Sequence, residues 1–412
     1  MIAAHQITRF VDEVADRFQP ERIVLRNPFM AIFFAGLLCV PVAPARGDQA
    51  AVTAARTPDG GLQPEVAVDE KNAVHLVYLK GDPAASDVYY VCSVDGGTTW
   101  SEPVRVNSER GSALALGTVR GAHLAIGTHG SLHVAWAGSK NAQPKAPGDK
   151  PPMLYARGSI GPSGKVSFEP QRNVASAGMG LDGGSVAADE HGHVYVAWHA
   201  PAHKGGREDD RRVWVAVSAD DGTTFAPEVA ISDESLGICS CCGLDVLAGR
   251  DGKLYAIYRA ESDQVNRDIY LASADVSAAR PHSTKLAATR SGICLMSTPS
   301  LTRGPRGIVG AWETKDQVQW GVMDPVSGGI TDPATVAGSG CKHPAIAVDS
   351  QGNVLVAWAL GTGWNKGGSV GWQAYDAQGR PIRGESGHAD GLPVWSKPAA
   401  FARPGGGFVV LY

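Results

Sequence analysis

A surplus of charge of either sign is what this 412-residue sequence lacks: 37 Lys and Arg stand against 41 Asp and Glu. No basic stripe forms, which argues against nucleic acid as a partner. Long apolar runs are absent too, apart from one between Pro28 and Ala45. Paired CxxC motifs at zinc-finger spacing are missing as well. What is abundant is turn chemistry. With 51 Gly and 26 Pro, the composition suits many short strands joined by tight turns, an all-β chain.

The single apolar run, PFMAIFFAGLLCVPVAPA, follows Arg22 and Arg26 and ends in Ala43-Pro44-Ala45. Basic flank, apolar core and a small-residue exit read as a secretory signal. Residues 1–45 are therefore expected to be a leader with its apolar core at about 28–45, and residues 46–412 one exported domain, periplasmic or secreted. The stretch before the core is long and acidic for a signal, and a start at Met30 would explain it. No membrane association is expected once the leader is removed, and a monomer is expected.

Along the rest of the chain one unit recurs: a short apolar strand, a turn with Gly, Asp or Asn, and a second apolar strand ending in an aromatic. It reads PEVAVDEKNAVHLVYL (64–79), GAHLAIGTHGSLHVAW (121–136), GSVAADEHGHVYVAW (184–198) and GLDVLAGRDGKLYAIY (243–258). It returns as PSLTRGPRGIVGAW (299–312), HPAIAVDSQGNVLVAW (343–358) and KPAAFARPGGGFVVLY (397–412). The period of roughly 45 to 63 residues is that of a propeller or solenoid. Further strands such as DVYYVCS (87–93) and RVWVAVS (212–218) follow each hairpin, giving three or four antiparallel strands per blade. Seven hairpins imply seven innermost strands. The last has few residues after it, and the segment around Ala50 to Arg56 is expected to add a strand there and close the ring.

Two hairpins lead into a sharper signature. Ser93-Val94-Asp95-Gly96-Gly97-Thr98-Thr99-Trp100 fits S-x-D-x-G-x-T-W throughout, and Ser218-Ala219-Asp220-Asp221-Gly222-Thr223-Thr224-Phe225 fits it with Phe last. Later repeats keep fragments such as Ser273-Ala274-Asp275. In a turn, Ser and Asp bond nearby backbone, Gly permits positive φ and the aromatic packs between sheets. On these residues the chain resembles the Asp-box (BNR-repeat) sialidase-like β-propellers over essentially all of residues 60–412. The resemblance implies that the boxes are structural and lie away from the active face. It also favours six blades, so six and seven both stand open at this point.

Propeller geometry sorts the loops. The lead-in to each innermost strand and the exit from its partner share one face. Three successive lead-in loops carry cysteine: Ile238-Cys239-Ser240-Cys241-Cys242-Gly243, Ile293-Cys294-Leu295-Met296-Ser297 and Gly340-Cys341-Lys342-His343. Five of the seven cysteines thus share one repeat phase on adjacent blades and are expected near one another, beside Met296 and His343. Three chemistries suit them. Disulfides would staple the loops in an oxidising compartment. Thiolate, thioether and imidazole together would bind a soft metal, copper first and zinc next. Cys241 or Cys242 could act as a redox-active or nucleophilic thiol. Lys80, Arg120, His123, His199, His203, Arg259, Glu261 and Glu313 add polar groups to the same face, each of which could equally be a solvated rim residue.

A sialidase requires three arginines on the substrate carboxylate, a tyrosine nucleophile helped by Glu, and an acid. The family's F/Y-R-I-P signature is missing, because the corresponding stretch reads GGLQPEVAVD (60–69). Arg120, Arg259 and Arg303 are the weak candidates for an arginine triad, with Glu261 beside Tyr258. Tyr258, however, fills the slot held elsewhere by Trp136, Trp198, Trp312 and Trp358, and so reads as core. The expected function is a propeller with a refitted axial site that binds a soft metal or works through thiol redox. A glycosidase, and a non-catalytic propeller for glycan or protein, are the alternatives.

Overall fold

The computed structural model describes residues 52–177, 180–275, 280–293 and 295–412. They form seven blades, antiparallel throughout except for one strand of the last. Blade 1 comprises Leu62–Val68, Val74–Asp82, Ala85–Ser93 and Val104–Arg105. Blades 2 to 6 open on innermost strands His123–Ile126, Asp182–Ala188, Asp245–Ala248, Ser300–Gly304 and Cys341–Val348. Blade 7 is the hairpin Ala399–Ala402 and Phe408–Leu411, completed by Val52–Ala55, which pairs in parallel with Phe408–Leu411. The ring is therefore seven-bladed, and six is excluded. The first described strand of the chain closes it, as the repeat pattern requires. Among the described residues, no helix is long and apolar enough to cross a membrane.

Each blade buries both faces against its neighbours, which is why the second strands are nearly all apolar. One hydrophobic core fills each of the seven interfaces. Between blades 4 and 5, for example, Ile257, Ile269 and Leu271 meet Leu301, Ile308 and Trp312. Between blades 7 and 1, Phe401, Val409 and Leu411 meet Val74, Leu76 and Tyr78. Trp136, Trp198, Tyr258, Trp312 and Trp358 are all buried.

The two S-x-D-x-G-x-T turns join third to fourth strands on the face opposite the lead-in loops. Ser93 Oγ donates to Asp95 Oδ1 at 2.7 Å and accepts the Gly97 N–H at 2.8 Å. Asp95 also accepts the Thr99 N–H at 2.9 Å and the Thr99 hydroxyl at 2.6 Å. Asp220 repeats this with Ser218 and Thr224. Gly97 and Gly222 take φ of 84° and 76°, conformations open to glycine at little cost. Phe225 reaches back to Tyr155 of blade 2 with ring centroids 4.9 Å apart.

The hydrogen bonds from Thr99 hold Asp95 well below the usual carboxylate range, and those from Thr224 bring Asp220 down to about 2. A depressed carboxylate stabilises the fold above its unfolded pKa of about 3.9, and that contribution fades as pH falls through the folded value. Asp95→Asn and Asp220→Asn should each lower the melting temperature at pH 7. The gap from the parent should close as the medium is acidified from about pH 4 to about pH 2, a trend that thermal melts across that window would read.

Candidate functional site

The blade 4 lead-in loop places Cys239, Cys241 and Cys242 with their Sγ atoms all within 4.8 Å of one another. Cys239 Sγ stands 3.5 Å from Cys241 Sγ and 3.5 Å from Cys242 Sγ. Cys239 and Cys242 carry free thiols and are 1 % exposed, while Cys241 is disulfide-bonded and partly open to solvent. The two free thiols stand three residues apart, a single CxxC that encloses the third cysteine, Cys241.

The loop is held from several sides. The Cys239 N–H donates to the Arg259 carbonyl at 3.0 Å. Ser240 donates both its N–H and its hydroxyl to Glu208 Oε1 at 2.7 Å, and the other oxygen of Glu208 pairs with Arg267 at 2.7 Å. His199 Nδ1 accepts from Arg211 at 2.9 Å, since a guanidinium only donates. That fixes the proton on Nε2, which donates to the Cys242 carbonyl at 2.9 Å. Burial, and then Arg211, bring His199 down to about 4, so it stays neutral.

The two thiols ionise as a pair. A hydrogen bond from Cys239 pulls the Cys242 thiol below its ordinary value against the cost of burial, helped by the positive charge of Arg259 and by the Ser297 backbone. Cys239, the donor, is pushed correspondingly up. The pair therefore gives up a first proton readily and holds the second.

The other sequence candidates are dispersed. Cys341, fully buried, packs in the core between blades 5 and 6 with Ile346 and Trp358, and burial raises its thiol to about 11. It stands outside the three-cysteine group. His343 is 3 % exposed; its Nδ1 accepts the Thr298 N–H at 3.2 Å, and burial brings it down to about 3. Met296 has a φ of 45° and is partly exposed. Cys294 lies outside the described residues.

The three arginines do not converge. Arg259 pairs with Glu313 at 2.5 Å, both side chains 1 % exposed. Arg120 pairs with Asp182 at 2.6 Å. Arg303 stands at the far end of its strand, beside the hairpin turn, with its guanidinium on the Ala248 carbonyl. Glu261, 3 % exposed, accepts the Gln264 N–H at 2.6 Å, and Tyr258 is core.

The axis itself holds what the loops did not announce. In every blade the residue before the aromatic of the second strand pairs with one position of the first strand. Val77, Ala135, Ala197, Ile257, Ala311, Ala357 and Leu411 face Glu65, His123, Ser185, Asp245, Ser300, Ala345 and Ala399. Five of these seven are polar or ionisable, and counting back from each aromatic through its turn would have exposed them. The innermost strands line a cavity of about 570 Å³. Lys397 donates to Glu65 at 2.7 Å. Asp245 accepts from the Ser185 hydroxyl at 2.8 Å and from the Leu301 N–H at 2.7 Å. Burial, and then the charge of Glu65, push Asp245 up to about 7.

This cavity is closed on the lead-in face. The blade 2 loop sends the Ala115 carbonyl to Gln63 of blade 1 at 2.7 Å, Thr118 to Thr298 of blade 5 at 3.4 Å, and Arg120 to Asp182 of blade 3. Gly117, at φ 73°, lies under Trp364 of blade 6, where a Cβ would come 3.2 Å from the ring. A segment that touches blades 1, 3, 5 and 6 lies across the axis. The lining continues instead to Asn72, Ser350 and Pro404 of the hairpin turns, where the cavity opens.

With this geometry in place, solved structures can be set beside it. The GH93 α-L-arabinofuranosidase of Fusarium graminearum with arabinobiose superposes at a TM-score of 0.50 and 10 % identity, over 77 % of this chain and 93 % of that one. The likeness is one of fold. The α-L-arabinanase of Penicillium chrysogenum with arabinobiose gives 0.49 and 14 %, over 78 % of this chain and 95 % of that one. The Trypanosoma rangeli sialidase with the inhibitor DANA gives 0.49 and 12 %, over 76 % of this chain and 56 % of that one. No protein-family model matches the sequence, and no curated protein matches it. The chain is a sialidase-like seven-bladed propeller with a cysteine group on its lead-in face.

Proposed function

We propose that this chain is an exported propeller of the Asp-box sialidase-like kind whose Cys239–Cys242 dithiol binds a soft metal ion, Cu(I) ahead of Zn(II). The observation that carries the reading is two free thiols 3.5 Å apart, one ionising readily, in a loop held by Glu208, His199 and Arg259. Cu(I) favours soft thiolates and is satisfied by two of them, whereas Zn(II) wants four ligands. His343 and Cys341 are bound up elsewhere and are not counted as ligands.

The test is titration of the full chain, under anaerobic conditions, with Cu(I) held by a chromophoric chelator. One equivalent should transfer to the protein, and Cys239→Ser or Cys242→Ser should lower the affinity at least a hundredfold. Because the ligands must lose protons, affinity should rise with pH. Failure of the parent protein to withdraw Cu(I), or uptake unchanged in both serine variants, would sink the reading. If copper is refused while the pair cycles reversibly between dithiol and disulfide with a thiol reagent, thiol redox replaces it.

A further inference from the structure

We infer that the axial cavity is a binding site for a small primary alkylammonium ion, taken in from the face of the hairpin turns. Its location is separate from the cysteine loop, so it stands or falls independently of the copper reading.

The shape comes first. A shaft of about 570 Å³ opens among the hairpin turns and ends at the polar ring, beneath the loop that crosses the axis. Its walls are mixed, since Val66, Leu124, Val186, Val246 and Ile346 alternate along the innermost strands with polar groups. A narrow shaft whose charged groups gather at one end fits a small molecule with one charged head and a short chain.

The floor decides the sign of the head. On the floor two carboxylates, Glu65 and Asp245, face a single cation, Lys397, which is already bonded to Glu65, while Arg303, Arg403 and Asp349 line the shaft towards the hairpin turns. The Ser185 hydroxyl donates to Asp245 but offers a further lone pair. His123 is 5 % exposed, lines the cavity and has no hydrogen-bond partner among the described residues. Burial holds it neutral, at about 4, so one ring nitrogen is an unused acceptor. When both floor carboxylates are ionised, one buried negative charge has no counterion. An ammonium head supplies three donors and the missing charge, while its chain lies along the walls.

Protonation links to binding in a defined direction. The charged groups that act on Asp245 are Glu65 and Lys397, with His123 on the same ring, and Asp245 itself, at about 7, titrates between about pH 5.5 and 8.5. A cation requires its ionised form, so binding at about pH 5.5 must expel a proton and should be about 30-fold weaker than at about pH 8.5. An alkylammonium keeps its charge across that range.

The experiment is calorimetric titration of the full chain with n-butylammonium chloride at both pH values, with n-butanol as the neutral control. Saturable one-to-one binding is expected for the ammonium alone, weakened at low pH and abolished in Asp245→Asn. Thr302→Trp, which obstructs the shaft above an intact floor, should abolish it too, and retained cooperative melting of both variants keeps the result readable. No saturable binding, equal binding of butanol, or unchanged binding in Asp245→Asn would overturn the inference.

Discussion

Arg259→Met should destabilise the protein by about 3–5 kcal/mol, because it strands the Glu313 carboxylate in the interior. The two side chains are each 1 % exposed and 2.5 Å apart. Arg259 also donates to the carbonyls of Arg267 at 2.8 Å and Glu313 at 2.6 Å, so its removal orphans backbone acceptors as well. Arg259→Met with Glu313→Leu should recover the part of the loss that comes from the stranded charge, since an apolar pair has no charge to desolvate, but not the part from the orphaned carbonyls. Urea denaturation midpoints at neutral pH give both numbers. A fall for the single variant of no more than about 1 kcal/mol, typical of an exposed pair, would contradict the burial described here. The same variant reports on the thiols. With the positive charge gone, the first ionisation of the Cys239–Cys242 pair should move up, and alkylation by iodoacetamide should slow at neutral pH.

Trp312→Ala should cost a similar amount, about 3–5 kcal/mol, for a different reason. Trp312 is fully buried between blades 4 and 5, against Ile257, Leu301 and Ile308. Truncation leaves a cavity that neighbouring sheets, tied by their own ladders, cannot collapse to fill. Its indole Nε1 has no hydrogen-bond partner among the described residues. Trp312→Phe therefore loses volume but no hydrogen bond and should cost well under half as much. Equal losses for Phe and Ala would show that the ring edge, not the bulk, matters there. Differential scanning calorimetry of the three proteins decides it.

The contrast between these sites shows what the sequence could and could not reveal. Blades were legible because their physics is local and repeated: an apolar second strand with an aromatic at its end recurs seven times, and six of the seven hairpin turns carry glycine. The S-x-D-x-G-x-T turns were legible for the same reason, each side chain bonding within its own few residues. The three cysteines of blade 4 were close in sequence and are close in space. Repeat phase also placed Cys341 on the lead-in face, but phase does not say which way a side chain points, and Cys341 turns into the core. Arg303 was placed by its blade, whereas its position along the strand sends it to the other end. Glu65, Asp245 and Lys397 escaped notice because each looks like an ordinary polar residue in its own repeat. Only the register of all seven hairpins brings them to one ring. The loop that closes the axis carries no motif, and its role follows from contacts with four blades that no single segment encodes.

Ring closure has a consequence for how the molecule is made. Val52–Ala55 leaves the ribosome early, yet among the described residues its only strand partner is Phe408–Leu411. At ordinary elongation rates those residues follow after roughly 20 to 70 s. Throughout that interval the last interface cannot form, and one strand waits with its backbone groups unpaired. Birth order and assembly order are thus opposed at the seam: a strand synthesised early is among the last to be seated. A cell making this protein has to keep a nearly complete ring from finding the seam of another copy before its own final hairpin arrives.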